Sequence, residues 1–194
     1  GTTKKYFEYL TQMLELGSVN GMGIGGSCIS NGSDYGNKNT PLINRYKDIP
    51  SADLIQIFMG TNDYGHATPI GSPEDVQAGT FYGALNTIIP YLQETHKESK
   101  IVFVTPLHRH AKSTGTTSKS EYDPNASGHT LHDYVEAIKQ VCATHGVSVI
   151  DLYTESEMDP RLDPKNSAYF GDGLDASAAG HELIAKIMES HIRE

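Results

Sequence analysis

Asp53-Leu54-Ile55-Gln56-Ile57-Phe58-Met59-Gly60-Thr61-Asn62-Asp63 is the stretch on which the fold of this chain turns. Its first seven residues are almost continuously apolar. A strand wet on one face alternates, whereas a strand of a parallel sheet covered on both faces does not, so this run predicts a doubly buried parallel strand. Glycine and short polar residues follow at once, so the strand must end in a loop at Gly60. Two more runs of the same kind lie downstream, Ile101-Val102-Phe103-Val104 before Thr105-Pro106, and Val147-Ser148-Val149-Ile150-Asp151-Leu152.

Helical spacing fills the intervals. Leu131, Tyr134, Val135, Ile138, Val141 and Cys142 mark one face of a helix that should stop near Gly146. Ser72-Pro73-Glu74-Asp75 predicts the start of another, with Ser72 as cap, Pro73 in the first helical position and acids in the first turn. Its inner stripe would run from Val76 through Gly83, Ala84 and Ile88 to Leu92, with a kink at Pro90. Tyr6, Leu10, Met13 and Leu14 predict a helix over 4–16, and a short strand is expected over 19–24. Leu42 to Tyr46 reads as a brief helix, and Leu183, Ile184, Ile187 and Met188 as the buried face of the last one. Strands alternating with helices imply a three-layer α/β/α domain with a mainly parallel sheet, spanning 1–194 as one unit.

The bulk properties suit that size. A chain of 194 residues accommodates one well-packed domain, and 37% hydrophobic with 20% charged residues suits a folded globular protein. Acids outnumber Lys and Arg by 24 to 15, giving a net charge of −9 with no basic run, which argues against a nucleic-acid partner. No apolar run approaches the ~20 residues of a membrane span. Cys28 and Cys142 could pair, but two thiols establish no disulfide framework, so the compartment stays open between cytoplasmic and secreted. Oligomeric state is equally open.

In open parallel sheets, ligands sit at the carboxyl ends of the strands, and here the long loops leave from those ends. Three of them carry chemistry. Asn62, directly after a buried strand, could aim its amide N–H at a developing oxyanion, although an Asx-turn explains it as well. Gly23-Ile24-Gly25-Gly26-Ser27 could present the Gly26 N–H to the same anion. Gly21, Gly23 and Gly26 also fit a dinucleotide fingerprint, but a polar loop follows them where that fingerprint needs a helix. Asp172 and Asp175 stand in the glycine-rich turn Phe170-Gly171-Asp172-Gly173-Leu174-Asp175, before the last helix, where turn or cap roles are the plain alternative. Ser27, Asp63, His66 and His108 are expected to line the substrate site. His108-Arg109-His110 has metal-like spacing but no third ligand, so no metal and no other cofactor is expected. The segment 108–127, rich in Ser, Thr, Gly and Lys, is the candidate for a lid or insertion.

Together these loops resemble the SGNH (GDSL-like) hydrolase superfamily of esterases, lipases and acylhydrolases. Gly26 falls at its second-block glycine, and Gly60-Thr61-Asn62-Asp63 matches its third block. Phe170 to Ala185, with Ala179-Gly180-His181, resembles its final block. The resemblance implies a flavodoxin-like strand order, 2-1-3-4-5, and hydrolysis of a small-molecule, carbohydrate or lipid ester. It also implies a serine nucleophile, a histidine base, an aspartate orienting that base, and an oxyanion hole that includes Gly26 and Asn62.

Two departures bear on the reaction. The Gly-Asp-Ser block does not occur in 1–194, so the first strand of that order is expected to lie outside this sequence. Asp175 occupies the histidine position, and a carboxylate with an ordinary pKa near 4 is a poor base for a serine hydroxyl. The resemblance therefore leaves two readings: an ester hydrolase with Gly26, Asn62, Asp172 and Asp175 at its centre, or a catalytically silent relative that binds an acylated carbohydrate or small ester.

Overall fold

A computed structural model describes residues 4–34, 40–110, 121–162 and 168–194. Three parallel strands, β1 (Leu54–Phe58), β2 (Lys100–Val104) and β3 (Ser148–Ile150), pair in the order β1-β2-β3. Ile57 sits opposite Phe103, and Val102 opposite Ser148. The helices are α1 (Tyr6–Met13), α2 (Thr61–Gly65), α3 (Phe81–Thr95), α4 (Leu131–His145), α5 (Leu152–Glu155) and α6 (Ala178–Arg193).

The near-continuous apolar strands are explained by two cores, one on each side of the sheet. Ile55, Ile57 and Phe103 point into a core with Leu85 and Ile88 of α3 and Val135 and Ile138 of α4. Val102, Val104 and Ile150 point the other way, onto Leu10 of α1 and Ile184 and Met188 of α6. Each such side chain contributes ~1.5–3 kcal/mol on burial, which outweighs strand and helix propensity in fixing the layers. This is the three-layer α/β/α architecture with a parallel sheet.

Two local expectations are corrected and one is refined. Residues 19–24 are not a strand: Val19 and Ile24 are exposed, and no described residue offers that segment a ladder. A side chain holds it instead, Arg45 Nη1 donating to Met22 O at 2.8 Å. The helix expected from Ser72 begins only at Phe81, capped by Thr80 Oγ1, which accepts from Gly83 N at 3.1 Å. Ahead of it, Asn86 Nδ2 donates to Pro73 O and Asp75 O at 2.8 and 2.9 Å, occupying carbonyls that a helix would use internally, and Val76 is exposed. Leu42 to Tyr46 is two 3-10 turns, Leu42–Asn44 and Tyr46–Asp48. Of the segment 108–127, residues 111–120 lie outside the described residues. The flanks are anchored: Arg109, Glu121 and Asn125 are buried, and Asn125 Nδ2 donates to Tyr64 O at 3.0 Å. Cys28 and Cys142 are separate buried thiols, each pushed up to about 12 by burial.

Candidate active site

The loop after β1 turns sharply into α2. Gly60 adopts φ +116°, and a Cβ there would lie 3.2 Å from Pro106 Cγ and 3.3 Å from Ile138 Cδ1, so the position needs glycine on both counts. That turn sets Asn62 and Asp63 against the loop that carries Gly26. Asn62 Nδ2 donates to Ser27 O at 3.1 Å, which uses one of its two amide hydrogens. Asp63 is fully buried and accepts from Ile29 N at 2.8 Å and Ser30 N at 3.1 Å. Burial pushes its carboxyl up to about 7, against the pull of those N–H donors. Asp63 is thus a clamp between two loops rather than the substrate-lining residue expected from sequence. Ser27 is corrected likewise: it is buried, and its hydroxyl donates to Thr40 O at 3.1 Å.

The second loop is the acid turn before α6. Gly171 N donates to Asp175 O at 2.9 Å, closing a narrow turn in which Asp172 Oδ1 accepts from Leu174 N at 2.9 Å and Asp175 N at 2.8 Å. The Asp175 N–H bond chiefly holds the exposed Asp172 carboxyl below its ordinary value. Ser177, not Asp175, caps α6, accepting from Gly180 N at 3.2 Å. A Cβ on Gly180 would lie 2.2 Å from Tyr169 O, so only glycine lets the helix start approach the strand-like entry to the turn. His110 N donates to Gly173 O at 2.8 Å and ties the loop after β2 to the same turn.

Between these elements lies a cleft of about 200 Å³, whose lining includes Phe58, Thr61, His108, Arg109, Asp175 and His181. It brings together two of the residues expected from sequence, His108 and Asp175. Gly26, Ser27, Asn62, Asp63, His66 and Asp172 are not in its lining. Half-buried His66 ends α2, and burial first, then the Arg109 charge, holds its imidazole below the usual value.

Arg109 is the residue that sequence reading missed. It is buried, its Nη1 donates to Thr61 O at 2.7 Å and Thr61 Oγ1 at 3.0 Å, and its charge is felt by Asp172 and Asp175. It therefore couples the Asn62 corner to the acid turn electrostatically. A signal was present, an arginine between two histidines just past a buried strand, but the metal spacing of the histidines masked it. His181 is the second addition. It stacks on Tyr6 with centroids 6.2 Å apart, and its Nδ1 is buried without a hydrogen-bond partner among the described residues.

Comparison with known proteins bears on the family and the fold. The sequence pattern of the GDSL-like lipase/acylhydrolase family matches residues 1–183. A crystal structure of a protein from Lactobacillus plantarum is 30% identical, superposes with a TM-score of 0.87, and covers 97% of this chain and 87% of its own. A possible lipase from Chitinophaga pinensis is 21% identical, with a TM-score of 0.76 over 97% of this chain and 87% of that one. An acetyl xylan esterase variant from Geobacillus stearothermophilus is 20% identical, with a TM-score of 0.68 over 97% of this chain and 81% of that one. No curated protein matches the sequence. Among the described residues no helix is long and apolar enough to cross a membrane.

Proposed function

We propose, from the premise that the chain belongs to the GDSL-like lipase/acylhydrolase family, that it hydrolyses short-chain acyl esters of small alcohols or carbohydrates. The observation that carries this reading is the Asn62 corner. The Asn62 amide is bonded to Ser27 O, directly beside Gly26, and Asp63 fixes the two loops relative to each other from inside. An amide held in place by one of its own hydrogen bonds can stabilise an oxyanion with its other N–H, since a donor that does not reorganise stabilises charge as it forms. In this reading Asn62 and Gly26 hold the oxyanion and Asp172 is the acidic member of the site. Asp175 stands at the histidine position, and a serine nucleophile of the Gly-Asp-Ser type attacks the acyl carbon. The neighbouring cleft, about 200 Å³, is lined by Thr61, His108, Arg109 and Asp175 and not by Gly26 or Asn62, and as an acyl site its size suits an acetyl or propionyl group better than a long acyl chain.

The test is turnover of p-nitrophenyl acetate, butyrate and octanoate by the full chain, followed as p-nitrophenolate release. Acetate should be the best substrate and octanoate the poorest. Asn62→Ala should lower kcat by roughly 10²–10³-fold with little change in KM. Equal rates with wild-type chain and Asn62→Ala would remove the oxyanion assignment.

A second reading is favoured by Asp175: a silent relative that binds an acylated carbohydrate or small ester without cleaving it. Calorimetric binding of an acetylated xylo-oligosaccharide without acetate release, converted to release by Asp175→His, would establish it in place of the first.

A further inference from the structure

Next to Arg109, on the rim of the cleft, lies a paired histidine and carboxylate that the reading above leaves unused. His108 Nδ1 is 2.5 Å from Glu121 Oε1. The Glu121 side chain is fully buried and the His108 side chain 17% exposed. Glu121 is held on its other sides as well: Arg109 N donates to its Oε2 at 2.5 Å, and Tyr153 Oη donates to its Oε1 at 3.1 Å. An ionised carboxylate can only accept, so the His108 nitrogen facing it must carry the proton, and Nε2 is left with a lone pair. Nε2 makes no hydrogen bond among the described residues, and His108 lines the cleft. The Tyr153 ring, 3.9 Å away centroid to centroid, packs against the imidazole and restricts its rotation.

We propose that His108 is the proton-transfer base of the cleft and that Glu121 is its positioning residue. The inference rests on the ester-hydrolase reading and supplies the base that Asp175 cannot. A buried carboxylate on one ring nitrogen, with the other nitrogen open to a cleft, fixes tautomer and direction together. It also stabilises the imidazolium that forms when the proton is taken. Residues 1–194 hold no Gly-Asp-Ser serine, so the step is written for water as nucleophile: His108 Nε2 removes one proton as the water oxygen bonds to the acyl carbon, and the carbonyl electrons move to oxygen. The tetrahedral intermediate then collapses, the C–O bond to the alcohol breaks, and the alkoxide takes the proton back from Nε2. Acid and alcohol leave, and the imidazole returns to its starting state. Arg109, whose charge is adjacent in the same cleft, opposes the negative charge of that intermediate.

The groups that act on His108 come from several elements. Glu121 approaches from the segment before α4, and Tyr153 from α5. Asp159, paired with Arg161, approaches from the loop after α5, Arg109 from its own loop, and Asp175 from across the cleft. Of these, Glu121 is the one in direct hydrogen-bond contact with the imidazole.

The experiment follows p-nitrophenyl acetate hydrolysis by the wild-type chain, His108→Gln, His108→Ala and Glu121→Gln over pH 5 to 9. His108→Gln should lower kcat by about 10²–10⁴-fold with KM changed little, and added imidazole should restore part of the rate of His108→Ala. Glu121→Gln should lower kcat by a smaller factor and move the acid limb of the rate profile to lower pH, because a neutral amide no longer favours the protonated ring. A purely structural role for Glu121 would lower the rate without moving that limb. Glu121 is buried and its variant can misfold, but His108 is partly exposed, so the His108 variants keep the test decisive. Full activity in His108→Gln overturns the dyad and leaves the hydrolase reading standing. No turnover by the wild-type chain on any of the three esters overturns the hydrolase reading, and the dyad with it.

Discussion

Asp63 and Asp172 make the same contacts and titrate in opposite directions. Each carboxylate accepts two main-chain N–H bonds of similar length, Asp63 from Ile29 and Ser30, Asp172 from Leu174 and Asp175. Asp63 is pushed up to about 7, whereas Asp172 is held below the ordinary value. What differs is water. Asp63 is fully buried and its donors belong to another loop, while Asp172 is exposed and its donors belong to its own turn. Two hydrogen bonds are enough to favour the charged form where solvent remains, and not enough where it has been removed. The comparison separates a carboxylate that holds the fold together from one that stays in water within reach of the Arg109 charge.

The strongest way to break this contrast is Asp63→Ala. The substitution leaves two buried N–H groups without acceptors and frees the Gly26 loop from α2. Stability should fall by about 3–5 kcal/mol, measured as the shift in urea unfolding midpoint. A loss below about 1 kcal/mol would mean that Asp63 is not the clamp.

The second test uses pH. The folded value for Asp63 is raised from 3.8 to about 7, so its contribution to stability is fully present below about pH 4 and is lost as pH rises through 7. Between those limits the wild-type protein should lose on the order of 4 kcal/mol from this group. Asp63→Asn cannot ionise, and its stability curve should lack that slope once differences at low pH are subtracted. Parallel curves would show that Asp63 is ionised throughout, with its N–H donors outweighing burial.

The layers around this contrast are legible in the sequence, whereas the contrast itself is not, and for a physical reason. The strand Asp53 to Met59 and the helix stripe from Leu131 to Cys142 announced themselves because burial on regular elements leaves a period in the sequence. The sharp turn at Gly60 is legible because glycine and short polar residues end the apolar run. Asp63 reads as a substrate contact in the sequence because adjacency in a motif does not say which neighbour points inward. Residues 19–24 read as a strand in the sequence because apolar content does not reveal whether a partner strand is at hand. Arg109 and Glu121 lay outside any periodicity: they meet His108 and Thr61 through irregular loops, and nothing in their spacing encodes that meeting.

Asp172→Asn sharpens the comparison from its weak side. The exposed carboxylate of Asp172 is lowered, so its contribution is present above 3.8 and lost as pH falls through its folded value, opposite in sign to Asp63. Water screens it, and an asparagine oxygen can still accept from Leu174 N and Asp175 N. The stability change should therefore stay within about 0.5–1 kcal/mol at neutral pH, by urea unfolding. The effect on turnover should be larger than the effect on stability, because removing the charge changes the field on Arg109 across the cleft. A stability loss approaching that of Asp63→Ala would mean that the two N–H bonds, and not burial, decide what a carboxylate does here. The acid turn would then be part of the scaffold, and the search for proton transfer would rest on the His108 side of the cleft.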